Sequence, residues 1–151
     1  MNKITSYILL FFLIYLTSCA YEPILNNDNY KFSININKIT GNEGINKLII
    51  YNFKNLKKNN EIYDLTLNSN KEKNILSKDS SGDPLIFRIK INVKYSIEKD
   101  GKIIINKEIS RKATYNNIAD KFELDNYEKN IINNLSISIA EIIIESISAS
   151  N

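Results

Sequence analysis

The stretch Leu85–Ile97 reads LIFRIKINVKYSI. Leu85, Phe87, Ile89, Ile91, Val93, Tyr95 and Ile97 alternate with Ile86, Arg88, Lys90, Asn92, Lys94 and Ser96. Seven apolar residues at a period of two put one face of a strand into a core and leave the other wet and mostly cationic. Asp100-Gly101 follows as a hairpin signal, and residues 102–116 form the return strand. A two-residue turn would pair residues whose numbers sum to 201 and would set Tyr95 against Asn106. A three-residue loop, Lys99 to Gly101, gives a sum of 200. Ile97 then meets Ile103, Tyr95 meets Ile105 and Ile91 meets Ile109, so apolar faces match. The expected register is therefore 200, with Gly101 left-handed in a bulged turn. Lys107 and Arg111 fall on the apolar face and must snorkel or find partners there.

Upstream, Phe32, Ile34 and Ile36 alternate with polar residues as a first strand, broken by Gly41 and Gly44. From Ile45, the apolar positions 45, 48, 49, 53 and 56 share one side of a helix of about three turns. Tyr63, Leu65 and Leu67 make a second strand. Residues 68–83 are polar, contain Ser80-Ser81-Gly82-Asp83, and read as a loop. The last element runs from about Asp125 to Ser148, where Asp125 and Glu128 resemble a capping box. Leu124, Ile131, Ile132, Leu135, Ile139, Ile142 and Ile143 fall within a wide stripe at helical spacing. The expected fold is α+β, a two-layer sandwich: a four-stranded sheet with two helices on one face, in the order β-α-β-β-β-α.

Residues 1–19, MNKITSYILLFFLIYLTSC, have the n-region, h-region and cleavage-site order of a secretory signal. The apolar run from Tyr7 to Leu16 is shorter than the roughly 20 residues a spanning helix needs. Leu16-Thr17-Ser18-Cys19 looks like a bacterial lipobox, and Cys19 is the sole cysteine of the chain. The expected organisation is a signal peptide (1–18), a tether (19–30) lipidated at Cys19, and a single α+β domain (31–151). Two or three acyl chains suffice for stable anchoring. No Asp follows Cys19, which points to the outer membrane rather than retention at the inner one.

The chain has 151 residues, of which Ile, Asn and Lys number 29, 24 and 18. Codons rich in A and T encode all three, so its Lys content is discounted as a sign of function. Cleavage at Cys19 leaves 19 basic and 17 acidic residues, a balance that gives no case for nucleic acid. Histidine is absent. Clustered His or Cys metal sites, a His-based triad and an intrachain disulfide are therefore excluded. Asp120 with Glu123 and Asp125 with Glu128 sit near a helix start, where acids favour the dipole. Nothing supplies a matched acid and base, so no enzymatic activity and no cofactor are expected. The one directional patch is the wet face of the Leu85–Ile97 hairpin. Arg88, Lys90, Lys94 and Lys112 there form the candidate ligand-binding set, able to grip phosphates or anionic sugars.

Three stretches stand in order along the chain: the lipobox with Cys19-Ala20-Tyr21-Glu22-Pro23-Ile24-Leu25, the Leu85–Ile97 strand with its hairpin partner, and Ser110-Arg111-Lys112-Ala113-Thr114-Tyr115-Asn116, followed by Asp120-Lys121-Phe122 and a long final helix. In these stretches the chain resembles the LPS-assembly lipoprotein family (LptE). Ala20 stands where that family has Gly, and the final helix is rich in Ile and Asn rather than Ala and Arg. The resemblance implies a non-catalytic lipoprotein on the periplasmic face of the outer membrane. Its implied role is to assist assembly of, and plug, the LPS-assembly β-barrel protein (LptD), and to bind lipopolysaccharide (LPS) on its way to the outer leaflet. The alternative is another outer-membrane lipoprotein adaptor, a cell-wall synthase activator or a transporter accessory subunit.

Overall fold

The computed structural model describes residues 30, 32–54, 56 and 61–150. The expected signal peptide (1–18), Cys19 and the expected tether before Tyr30 lie outside the described residues. The elements are β1 (Ser33–Gly41), α1 (Glu43–Phe53), β2 (Ile62–Lys78), β3 (Pro84–Lys99), β4 (Lys102–Asn116) and α2 (Lys121–Ser148). The sheet order is β1-β2-β3-β4. β1 runs parallel to β2 through the α1 crossover, and the other neighbours are antiparallel. The α+β sandwich and its element order are those the alternation predicts.

β3 is the centre of the core. Phe87, Ile89, Ile91, Val93, Tyr95 and Ile97 are all buried, under Ile45, Ile49 and Phe53 of α1 and Ile139, Ile143, Ile144 and Ile147 of α2. Each such side chain contributes about 1.5–3 kcal/mol by leaving water. Leu85, the first of the alternating seven, is the exception at 46% exposed. α2 is, among the described residues, the one helix long and apolar enough to cross a membrane. Its apolar stripe instead packs into this core.

The end of β1 is fixed by a buried polar link. Ser69 Oγ donates to Asn46 Oδ1 at 2.7 Å, Asn46 Nδ2 donates to Thr40 O at 2.9 Å, and Asn42 N donates to Ser69 O at 2.9 Å. Asn42 also caps α1, accepting from Ile45 N. β1 stops there, opposite Ser69, but β2 does not. Residues 70–78, expected to lie in a loop, continue as a strand paired only with β3. With no helix over most of this arm, neither of its faces needs an apolar row, so alternation disappears while the backbone ladder persists.

The β3–β4 register corrects the expected one. Asp100 (φ 52°) and Gly101 (φ 73°) form a two-residue turn with both central residues left-handed, and Lys99 faces Lys102 at a sum of 201. A shift between Ile97 and Glu98 then leaves Ile104 unpaired, and the rest of the hairpin runs at 202. Ile97 meets Ile105, Tyr95 meets Lys107 and Ile91 meets Arg111. The even parity that keeps each face intact is preserved, but a bulge supplies it rather than a third loop residue. Lys107 and Arg111 stay on the helix-side face and remain exposed; Arg111 Nε donates to Ser138 Oγ on α2 at 3.2 Å. Inward-pointing charges on an open edge strand discourage pairing with another chain.

α2 begins earlier than expected. Asp120, not Asp125, is the cap, its carboxylate accepting from Phe122 N at 2.8 Å and Glu123 N at 3.0 Å.

Candidate functional site: a polar sheet face

The face of the sheet away from the helices is built by even-numbered residues of β2, β3 and most of β4. Strand order and register stack it in rows. Asn68, Lys94 and Glu108 form one row, then Asn70, Asn92 and Ser110. Glu72, Lys90 and Lys112 come next, and Asn74, Arg88 and Thr114 last.

Three of the four candidate cations come together. Lys90 lies directly opposite Lys112, where facing side chains start about 4.5–5.5 Å apart at Cβ, and Arg88 is the diagonal neighbour of Lys112. Like charges placed so are mutually destabilising unless an anion joins them. Lys94 stands four residues from Lys90 along β3 and is engaged at 3.8 Å with Glu108, the residue opposite it. In the expected register Lys112 faced Arg88 and Lys94 faced Asn106; the shift moves both.

One residue of the face was missed. Glu72 sits beside Lys90 on β2, and its Oε1 accepts from Asn92 Nδ2 at 3.2 Å and Asn70 Nδ2 at 3.3 Å. Reading 68–83 as a loop hid it; extending β2 in register would have found it. Glu72 leaves Arg88, Lys90 and Lys112 in excess by two charges over their nearest acid. Arg88 is half-buried, and its Nε is a buried donor without a hydrogen-bond partner among the described residues. Such a donor costs about 1–3 kcal/mol until an acceptor reaches it. Below the cations, Asn68, Asn70, Asn92, Lys94 and Glu108 line an open depression of about 410 Å³. Among the described residues no three acidic side chains gather as a metal site.

No protein-family model matches the sequence, and no curated protein matches it. Solved structures do. Rare lipoprotein B from Shewanella oneidensis matches with a TM-score of 0.58 at 14% identity, covering 76% of this chain and 96% of that one. The fold is shared with bacterial lipoproteins. A lipoprotein B from Nitrosomonas europaea gives 0.53 at 15% identity, over 78% of this chain and 85% of that one. A minor lipoprotein from Acinetobacter baumannii gives 0.51 at 15%, over 74% and 90%. At such identities the likeness is one of architecture, and the side chains of the polar face are this chain's own.

Proposed function

We propose that this chain is a non-catalytic lipoprotein, anchored through Cys19 to the periplasmic face of the outer membrane. In this reading it assists assembly of the LPS-assembly β-barrel (LptD), plugs it, and binds LPS during delivery to the outer leaflet. The observation that carries the reading is the cation cluster Arg88, Lys90 and Lys112 on a sheet face that none of the described helices covers, in a fold shared with bacterial lipoproteins. Phosphate on that face would join three like charges through charge-assisted hydrogen bonds, which are about twice as strong as neutral ones. Arg88 offers a planar fork and the two lysines offer point charges.

Affinity purification of the full-length chain from its own envelope tests the partner. Co-purification of a large β-barrel together with LPS is the expected result. Recovery of a cell-wall synthase or a transporter instead would favour the adaptor reading.

A further inference from the structure

Among the described residues the sheet leaves three stretches of strand edge unpaired: β4, the arm of β2 beyond Ser69, and β1. Such an edge is a template for another strand, and proteins commonly block it with charges pointed inward. β4 carries Lys107 and Arg111 on its helix-side face. The arm of β2 carries Lys71 and Lys73, whose partners Ile91 and Ile89 are core residues. β1 has no such guard. Its helix-side residues are Ile34, Ile36 and Ile39, which pair with the buried Tyr63, Leu65 and Leu67. Its one charge, Lys38, pairs with Thr66 and so points to the polar face.

The backbone of β1 is aimed to match. Ser33 N donates to Glu61 O and Asn42 N to Ser69 O, both toward β2. In a strand the N–H and C=O of one residue point to one side and those of the next residue to the other. Counting from both ends, across the register shift between Ile36 and Lys38, leaves Ile34, Ile36, Ile39 and Gly41 with their backbone groups on the open side. The residues with apolar helix-side chains are therefore the ones that offer hydrogen bonds to a new strand. Ile39, 42% exposed, adjoins a cleft of about 280 Å³ that it shares with Gly41 and with Lys47 and Ile50 of α1. Lys47 is already paired with Glu43 at 2.6 Å.

The size of this edge says what fits it. Nine residues at about 3.3 Å each, and a thickness of about 10 Å, give roughly 300 Å². A stable pair of domains needs about 800 Å² per partner, so this edge is too small to hold a second copy of the chain. It suits one extended segment of a protein already held to the domain elsewhere, for which even a weak strand contact is effectively intramolecular. We propose that an extended segment of the β-barrel partner adds to β1 as a fifth strand, with apolar side chains toward Ile34, Ile36 and Ile39 and an acidic one beside Lys38. This rests on the reading that the domain is held inside such a barrel. The wall strands of a closed barrel are paired on both sides, so the segment is a loop or terminal stretch that enters the lumen. One engaged edge sets the rotation of the sheet, and with it the direction in which the cation cluster faces.

Hydrogen exchange read by mass spectrometry tests this, on the full-length chain alone and on the chain co-purified with the barrel. Peptides covering β1, residues 70–75 of β2, and β4 are compared. The expected result in the complex is roughly tenfold slower exchange at the amides of Ile34, Ile36, Ile39 and Gly41, with no slowing at the other two edges. Ile39→Lys gives β1 the inward charge that the other edges carry, and should return its exchange to the rate of the free chain. Ile75→Lys, at a similarly exposed residue of the β2 arm, should not. Circular dichroism checks the fold of each variant. A barrel present with β1 exchanging as in the free chain, or with all three edges slowed equally, overturns this inference alone, as does protection that survives Ile39→Lys in folded protein. If no barrel co-purifies, the reading of the partner falls and takes this inference with it.

Discussion

Tyr115 on β4 donates its hydroxyl to Glu128 on α2 at 2.7 Å, and Lys73 on β2 pairs with the same carboxylate oxygen. Phe87 stacks on the Tyr115 ring with centroids 5.6 Å apart, and the Lys73 ammonium lies 4.5 Å from the Phe87 centroid. One carboxylate thus ties three elements together near the base of the arm. Burial first, then the hydrogen bond to Glu128 and its charge, push the Tyr115 phenol well above its ordinary value. A raised phenol favours the folded state fully below the unfolded value near pH 10, and that contribution is lost as pH rises toward the folded one. Tyr115→Phe should therefore cost about 1.5–2 kcal/mol at pH 7 in urea titrations, since it removes a hydrogen bond to a charged group. Above pH 10 the wild type should lose stability faster than the variant. An unchanged gap between pH 7 and pH 11 would contradict the assignment.

Gly41 and Gly101 are both left-handed, at φ 88° and 73°, and they separate two costs. A Cβ at Gly41 would lie 2.0 Å from the Ser69 carbonyl oxygen, while at Gly101 nothing lies within 4 Å. Gly101→Ala should cost only the left-handed penalty of about 1–2 kcal/mol. Gly101→Val should cost more, because a β-branched residue is a poorer fit at positive φ. Gly41→Ala adds a backbone collision at the point where β1 leaves β2, and should exceed about 4 kcal/mol, the range reserved for severe defects. Thermal melts of the three variants decide it; equal losses at positions 41 and 101 would refute the close approach.

Glu141 and Glu145 stand one turn apart on α2, and burial together with the Glu145 charge raises the Glu141 carboxyl above its ordinary value. A raised carboxylate disfavours the fold when ionised and ceases to do so once protonated. Glu141→Gln should thus stabilise at pH 7 by about 0.2–0.5 kcal/mol, the size of an i,i+4 like-charge contact. The difference should vanish as pH falls below the carboxylate range. A destabilised variant at pH 7 would show that the charge is compensated in some other way.

Parts of this fold were legible because burial writes them into the chain. β3 alternates because one of its faces lies under two helices, and α2 carries its stripe for the same reason. The arm of β2 was illegible for the opposite reason. Its residues 70–74 are all exposed, so hydropathy carries no period there. The register failed on three identical residues, Ile103-Ile104-Ile105, among which a bulge leaves no compositional mark. Of the site, the strand parity put Arg88, Lys90, Lys94 and Lys112 on one face correctly. It could not show that a two-residue shift brings Lys112 to Lys90 and gives Lys94 to Glu108.

Leu16-Thr17-Ser18-Cys19 predicts lipidation at Cys19. Mass spectrometry of the mature N-terminus should find a diacylglyceryl thioether and an acylated amine on Cys19. Cys19→Ser should leave an unprocessed chain or a soluble one in the periplasm. An unmodified Cys19 at the mature terminus would end this reading.

The cation cluster separates from mere solvation of a sheet by a graded charge-reversal series. Arg88→Glu with Lys112→Glu removes the fork and one of the two facing lysines, and sets carboxylates against Lys90. All of these side chains lie on the face away from the helices, so thermal stability and co-purification with a β-barrel should be retained. LPS binding should fall at least tenfold at low salt. Lys94→Glu is the internal control: Lys94 is already paired with Glu108 and lies about 13 Å along the strand from Lys90, so its effect should be severalfold smaller. Raising salt should shrink the difference between wild type and double variant, because exposed charges are screened over about 8 Å at physiological ionic strength. If the double variant binds LPS as the wild type does at low salt, Arg88 and Lys112 serve solubility alone. If Lys94→Glu matches the double variant, the ligand instead follows the general charge of the face, and the Arg88–Lys90–Lys112 geometry has no special part in holding it.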